Sequence, residues 1–212
     1  MEKFKTLHSV AVPMLRDNID TDAILPVAYM KTIKSDFGKD LFHNQRYNTD
    51  GSENPDFILN KPEYRPAQII VSHNNFGCGS SRETAVWALL GYGIKAVVAE
   101  SFGDIFLNSS FRMGLLPIAL PREQLHALGA AVEAAGGKKA TIVDLESQTI
   151  TGPDNVTYRF EIDATRKRIM LEGLDGVGLT LLNADAIAAF QKKDRARRPW
   201  IHDIGLVNGT RV

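Results

Sequence analysis

The clearest hydrophobic pattern lies in the middle third of the chain. Ala67–Ser72 (AQIIVS), Ala96–Glu100 (AVVAE) and Leu115–Leu120 are short apolar runs, each of a length suited to a buried strand. Between them Ser81–Leu90, ended by Gly91 and Gly93, and Phe102–Arg112 read as helices. Strand, helix, strand, helix and strand at such short spacing predict an α/β fold with a parallel sheet and right-handed crossovers. Pro121–Ala135 predicts one more amphipathic helix, opened by proline and closed by Gly136-Gly137.

The pattern changes on either side. Ala140–Ile150 and Val156–Ile162 flank Gly152-Pro153-Asp154-Asn155, a turn composition, and predict a C-terminal β-hairpin. Two short helices are expected at Ala164–Leu171 and Asn183–Lys193, and Pro199–Val212 reads as a tail or an arm on a partner. A strand is expected near Ser9–Leu15. Asn44–Pro66 is rich in Asn, Asp, Gly and Pro, and a long irregular tract of this kind is usually functional or mobile. The chain thus reads as one domain, residues 1–198, with 199–212 as the tail or arm.

Composition narrows the function classes. Lysine plus arginine and aspartate plus glutamate both number 25, so no long-range field draws the chain to nucleic acid or an anionic membrane. The basic run Lys192–Arg198 sits at a predicted helix end, where cations suit the dipole, and reads as a solvated face. No stretch approaches the ~18 apolar residues of a membrane span, and residues 1–20 do not read as a signal peptide. The single cysteine, Cys78, leaves no internal disulfide and fits a reducing cytoplasm. A thiolate zinc or iron–sulfur site usually takes three or four cysteines, so any such cofactor is expected on another chain.

Candidate chemistry concentrates in Asn75-Phe76-Gly77-Cys78-Gly79-Ser80-Ser81-Arg82-Glu83, between a predicted strand and a predicted helix start. In open α/β sheets ligands bind there, outside the carboxyl ends of the strands. Glycines bring backbone N–H groups close to a ligand, the helix start adds unpaired donors, and Arg82 offers a planar fork for a carboxylate. An anion site follows. Ser80-x-x-Glu83 is also a capping box, in which the two side chains only satisfy the helix end. The loop is not a phosphate loop, lacking Gly-Lys-Ser/Thr, nor a dinucleotide fingerprint, since Arg82 stands where a small residue is needed.

Phe76–Glu83 resembles the Gly-x-Gly-Ser-Ser-Arg-Glu-His signature of the swivelling domain of the aconitase superfamily, most closely that of isopropylmalate dehydratase small subunits. The likeness continues through Asp17–Asp22, Asn54–Phe57, Ser101–Phe106, Leu115–Pro117, Tyr158–Asp163 and Gly173–Thr180. It implies a swivelling β/β/α domain with a mainly parallel central sheet. It also implies a hydro-lyase of leucine biosynthesis, inactive without a large subunit that carries a [4Fe-4S] cluster and forms a hetero-oligomer with this chain. Ser80 falls on the family's serine base, and Ser81, Arg82 and Gly79 on its carboxylate-binding loop.

Ile24–Thr32 resembles the loop that reads the substrate side chain, with Tyr29, Met30 and Lys31 at its aromatic–aliphatic–basic core. Asp20, Thr21 and Asp22 are expected to support the site rather than bind metal, with Cys78 and Glu83 in the same supporting role. The histidines show no ligand spacing, and His73 lies nearest the signature loop. Two positions depart from the pattern: Thr84 replaces the usual histidine and Gly103 the usual alanine. The resemblance therefore also admits a related alkyl-malate or homoaconitate-type hydratase. From other classes, Cys78 near a helix start suggests a thiolate nucleophile, and the chain could be a non-catalytic module.

Overall fold

The computed structural model describes residues 1–30, 36–80, 82–202, 206–207 and 210–211, and the chain divides into two compact units, Met1–Gly173 and Leu174–Val212. In the larger unit the chain runs β1 (Thr6–Ser9), β2 (Ala11–Met14), α1 (Thr21–Ile24), α2 (His43–Arg46), β3 (Ile69–Ser72) and α3 (Thr84–Tyr92). It continues with β4 (Ala96–Ala99), α4 (Asp104–Met113), β5 (Leu116–Ala119), α5 (Arg122–Ala135), β6 (Thr141–Asp144), β7 (Thr149–Thr151), β8 (Thr157–Arg159) and α6 (Ala164–Glu172). The strands form two four-stranded sheets, a parallel one in the order β2-β3-β4-β5 and an antiparallel one in the order β1-β6-β7-β8.

Successive side chains of a strand point to opposite faces, so a strand covered on both sides reads as an unbroken apolar run. The parallel sheet shows this directly. Ile70 and Val97 join Val86 and Leu89 of α3 and Phe106 of α4 in one core, whereas Ile69, Val71, Ala96 and Val98 join Leu125 and Leu128 of α5, with Val143 and Ile150, in another. Each Val, Ile or Leu side chain among them, fully buried, contributes roughly 1.5–3 kcal/mol. The expected mainly parallel α/β sheet with flanking helices is therefore present.

Two regions differ from the sequence pattern. The strand expected near Ser9–Leu15 is β2, and a further strand, β1, precedes it: the Ser9 hydroxyl donates to Val10 O (3.0 Å) and accepts from Gln68 N (2.9 Å) where β1 gives way to β2. One stretch thereby supplies an edge strand to each sheet. Ala140–Ile150 is not one strand. It folds back as β6 and β7 around a turn in which the Ser147 N–H and hydroxyl both donate to Asp144 Oδ1, at 2.7 and 2.8 Å. The expected hairpin is thus a pair of consecutive hairpins, the second turning at Gly152–Val156.

The irregular tract between β2 and β3 is pinned from within. Buried Arg46 donates to the carbonyls of Gly38, Lys39 and Leu41 (3.4, 3.3 and 3.3 Å), and the Asn60 amide donates to Arg46 O (2.7 Å) and Asn54 O (2.8 Å). In the smaller unit come α7 (Gly176–Leu181), α8 (Ala184–Arg197) and α9 (Pro199–His202), with Leu206–Val207 paired antiparallel to Thr210–Arg211. At the end of the predicted basic face Asp194 accepts from Arg198 Nε (2.7 Å), and His202 Nε2 lies 2.9 Å from its other oxygen. Among the described residues no helix is long and apolar enough to cross a membrane.

Candidate active site

Parallel strands all end at one edge, and three of the connections there are sewn together. Gly77 N donates to Ile19 O (2.7 Å) and Thr21 N to Cys78 O (2.9 Å), while Phe76 N donates to Ser101 O (3.0 Å) and Gly103 N to Phe76 O (2.9 Å). The chain after β3 therefore continues the sheet between the chains after β2 and β4. Side chains lock the same layer: Asn75 Nδ2 donates to Asn18 Oδ1 (2.8 Å) and Ser101 Oγ to Asn74 Oδ1 (2.7 Å).

Two glycines permit this closeness. Gly77 has φ +73°, and a Cβ there would run into the Phe106 ring; one at Gly103 would lie 2.7 Å from Gly77 O. The departure to glycine at 103 thus has a packing reason. An alanine would push against backbone, which yields less than a side-chain tip.

Beyond Gly79 the chain presents Ser80. Its Oγ lies 2.6 Å from Thr21 Oγ1 and accepts from Arg82 Nε at 2.7 Å. The same guanidinium donates through Nη2 to Asp22 Oδ1 (2.7 Å), and its Nη1 lies 4.0 Å from Met30 Sδ. The Thr84 hydroxyl donates to that sulfur at 3.2 Å. Ser80, Thr21, Asp22, Arg82, Met30 and Thr84 are therefore one contact chain drawn from two distant segments. A guanidinium edge beside a hydroxyl is suited to hold a carboxylate while the hydroxyl exchanges a proton with the neighbouring carbon.

The other expected residues fall around it. Asp20 caps α1, accepting from Ala23 N at 2.6 Å, and bridges across to Cys78. Tyr29 stacks on His43 with ring centroids 3.8 Å apart. Glu83 pairs with Arg112 Nη2 (2.7 Å), and α3 begins only at Thr84, with no side-chain cap on its first turn. The capping-box reading is thereby corrected: serine and glutamate are each engaged elsewhere. Ser81 and Lys31 lie outside the described residues.

A cleft of about 570 Å³ opens beside this cluster, lined by Gly77, Cys78, Gly79 and Ser80 on one side and Gly103, Asp104, Ile105 and Phe106 on the other. The N-terminus of α4 thus faces the loop, adding first-turn N–H groups that have no partner within the helix. Sequence reasoning placed Ser101–Phe106 within the resemblance but not in the site. The signal was the same strand–turn–helix logic, applied to β4 as it had been to β3.

Two rival chemistries lose ground. Burial pushes the Cys78 thiol above its ordinary pKa and nearby Asp20 adds to the rise. A nucleophilic cysteine is activated by the opposite shift, so this direction runs against the thiolate reading. His73 stacks against His126 of α5 (centroids 4.7 Å apart), whose Nε2 lies 3.1 Å from Glu100 Oε1. The donors present also decide whether this chain could hold a cluster cofactor. Cys78 is its one thiol, and among the described residues no group of three or more His, Cys, Asp and Glu side chains is placed to hold a metal ion. An iron–sulfur cluster does not fit the residues of this chain.

Known proteins agree with this layout. A family model of the aconitase C-terminal domain matches residues 1–123. The LeuD_N model matches residues 127–164, and a model of the C-terminal domain of the 3-isopropylmalate dehydratase small subunit matches residues 177–204. The 3-isopropylmalate dehydratase small subunits of Dinoroseobacter shibae and Afipia carboxidovorans are 54% and 53% identical over 203 residues, covering 95% of this chain and 100% of each relative. The chain belongs to the 3-isopropylmalate dehydratase small-subunit family. A solved 3-isopropylmalate dehydratase structure from Methanocaldococcus jannaschii superposes with a TM-score of 0.62 at 27% identity, covering 88% of this chain and 99% of that one. The resemblance carried by Phe76–Glu83 is therefore confirmed at the level of family and fold. As a 3-isopropylmalate dehydratase small subunit by family, the chain has a large subunit as its counterpart.

Proposed function

We propose that this chain works as the small subunit of a hydro-lyase that interconverts 2-isopropylmalate and 3-isopropylmalate in leucine biosynthesis in the cytoplasm. The observation that carries the reading is the Ser80 hydroxyl held 2.7 Å from Arg82 Nε at the rim of the cleft. Ser80, as alkoxide, takes a proton from the carbon next to a substrate carboxylate. The C–H electron pair becomes the new double bond, the C–O bond breaks, and hydroxide leaves; proton and hydroxide together account for the water lost. Rehydration at the adjacent carbon completes the isomerisation.

Arg82, Ser81 and Gly79 hold the carboxylate, while Tyr29, Met30 and Lys31 meet the substrate side chain. Asp20, Thr21, Asp22, Cys78 and Glu83 support these residues. A [4Fe-4S] cluster on the large subunit supplies the Lewis acid for the departing hydroxyl. The position of Met30 favours an alkyl-malate over a homoaconitate-type substrate. Its apolar side chain offers an alkyl group a contact and has no donor of its own for a further carboxylate. Residues 199–212 act as an arm on the large subunit, a reading supported by Trp200, 67% exposed.

The test is co-expression with the large subunit under anaerobic conditions, following isopropylmaleate by ultraviolet absorbance. The complex should turn over and the chain alone should not. A complex with Ser80→Ala that assembles and retains wild-type turnover would falsify the assignment of the base.

A further inference from the structure

Resting on the reading of Ser80 as base, we infer that Thr21 is its positioning residue, the second hydrogen-bond donor that holds the serine oxygen as an alkoxide. The number of available protons gives the reason. Arg82 Nε can only donate, so Ser80 Oγ accepts one hydrogen bond from it. The second contact, 2.6 Å to Thr21 Oγ1, has a proton from either hydroxyl while serine is neutral. Once Ser80 loses its proton, only Thr21 has one to offer. The pair then switches to a single direction, and the alkoxide lies between two donors.

Thr21 is built for a fixed direction. It is buried at 2% exposure in the first turn of α1, and its own N–H donates to Cys78 O (2.9 Å), two residues before Ser80. Its branched side chain is stiff about χ1. The loop passes closely over the hydroxyl, since a Cβ on Gly79 would lie 3.6 Å from Thr21 Oγ1.

The charged and titratable neighbours are occupied otherwise. Asp20 accepts from Ala23 N, Asp22 pairs with the far side of Arg82, and burial pushes the Cys78 thiol above its ordinary pKa. Asp104 approaches the cleft from α4. Among the described residues, the donors aimed at Ser80 Oγ are therefore Arg82 and Thr21.

The experiment compares Thr21→Val, Thr21→Ser and Ser80→Ala in the complex with the large subunit, measuring kcat and KM for isopropylmalate from pH 6 to 10. Valine keeps the shape and removes the proton. It should lower kcat on the order of 10²-fold near neutral pH, the usual cost of one lost donor to a developing oxyanion. KM should stay within about twofold, and the deficit should narrow as rising pH favours the alkoxide that Arg82 alone then holds. Thr21→Ser, which restores the hydroxyl, should recover most of the loss. If the valine variant fails to assemble, Thr21→Ala is measured in its place.

Wild-type kcat in the hydroxyl-less variant overturns the inference. So does a deficit that serine does not rescue, or one that is flat with pH and sits in KM. Should Ser80→Ala itself remain active, the base reading fails. A dead Ser80→Ala beside an unimpaired Thr21→Val removes only the role given to Thr21.

Discussion

The two sheets of the larger unit have four strands each and behave oppositely. In the parallel sheet β3 and β4 are buried at every position, and the connections after β2, β3 and β4 all leave from one edge. In the antiparallel sheet β6 and β7 alternate between buried and half-buried positions, and the turns at Leu145–Gln148 and Gly152–Val156 lie at opposite edges. Its inward residues Val143, Leu145 and Ile150 cover one face of the parallel sheet. It contributes nothing to the cleft that Ser80 lines. Strand direction decides the matter: parallel strands gather their following loops at one edge, where polar groups can converge, whereas antiparallel strands disperse them.

Substitutions in the two sheets should separate accordingly. The largest effect is expected for Ser80→Ala, which should reduce turnover of the assembled enzyme about 10³-fold or more with an unchanged melting temperature. Next comes Gly77→Ala, where a left-handed backbone and the Phe106 ring both resist a side chain. A loss of about 3 kcal/mol by urea unfolding is expected, accompanied by lost activity because the same loop holds Ser80. Equal stability of this variant and wild type would contradict the close packing of the loops.

In the other sheet Ile150→Val should cost about 1 kcal/mol and leave turnover per folded molecule untouched. A change in KM there would mean the two sheets are coupled more closely than their contacts imply. The smallest effect belongs to Asp144. Hydrogen bonds from the Ser147 N–H and hydroxyl, and then from Thr6, hold its carboxyl below the ordinary carboxylate range. A folded-state pKa lowered in this way stabilises the protein above the unfolded value of about 4, and that contribution disappears as pH falls through the folded value. Asp144→Asn should therefore cost under about 1 kcal/mol at neutral pH, with the difference from wild type closing in acid.

Legibility in the sequence divided along the same line. Strands β3, β4 and β5 and helices α3 to α5 were readable, because apolar runs of strand length were punctuated by Gly93, Gly114 and Gly136. The turn between β6 and β7 was not, because it is made by the Asp144 side chain and by Gln148 at φ +55° instead of by glycine or proline. Helix α7 was hidden by Gly176 and Gly178, and is started by Asp175 accepting from Gly178 N at 2.6 Å. At the site, the loop Gly77–Glu83 was legible from composition. What its side chains touch was not, since a capping box and a proton-transfer site share Ser80-x-x-Glu83.

By itself the sequence determined the elements of the middle third, the place of the glycine-rich candidate loop after β3, and the family, because each depends on residues close together along the chain. Tertiary structure alone decided that Ser80 meets Thr21 across 59 residues and that Met30 meets Thr84 across 54. It also decided that Gly103 must be small because Gly77 O crosses it. These are contacts between loops whose only common instruction is the direction of the strands that carry them, and no local pattern encodes a distance between segments that far apart.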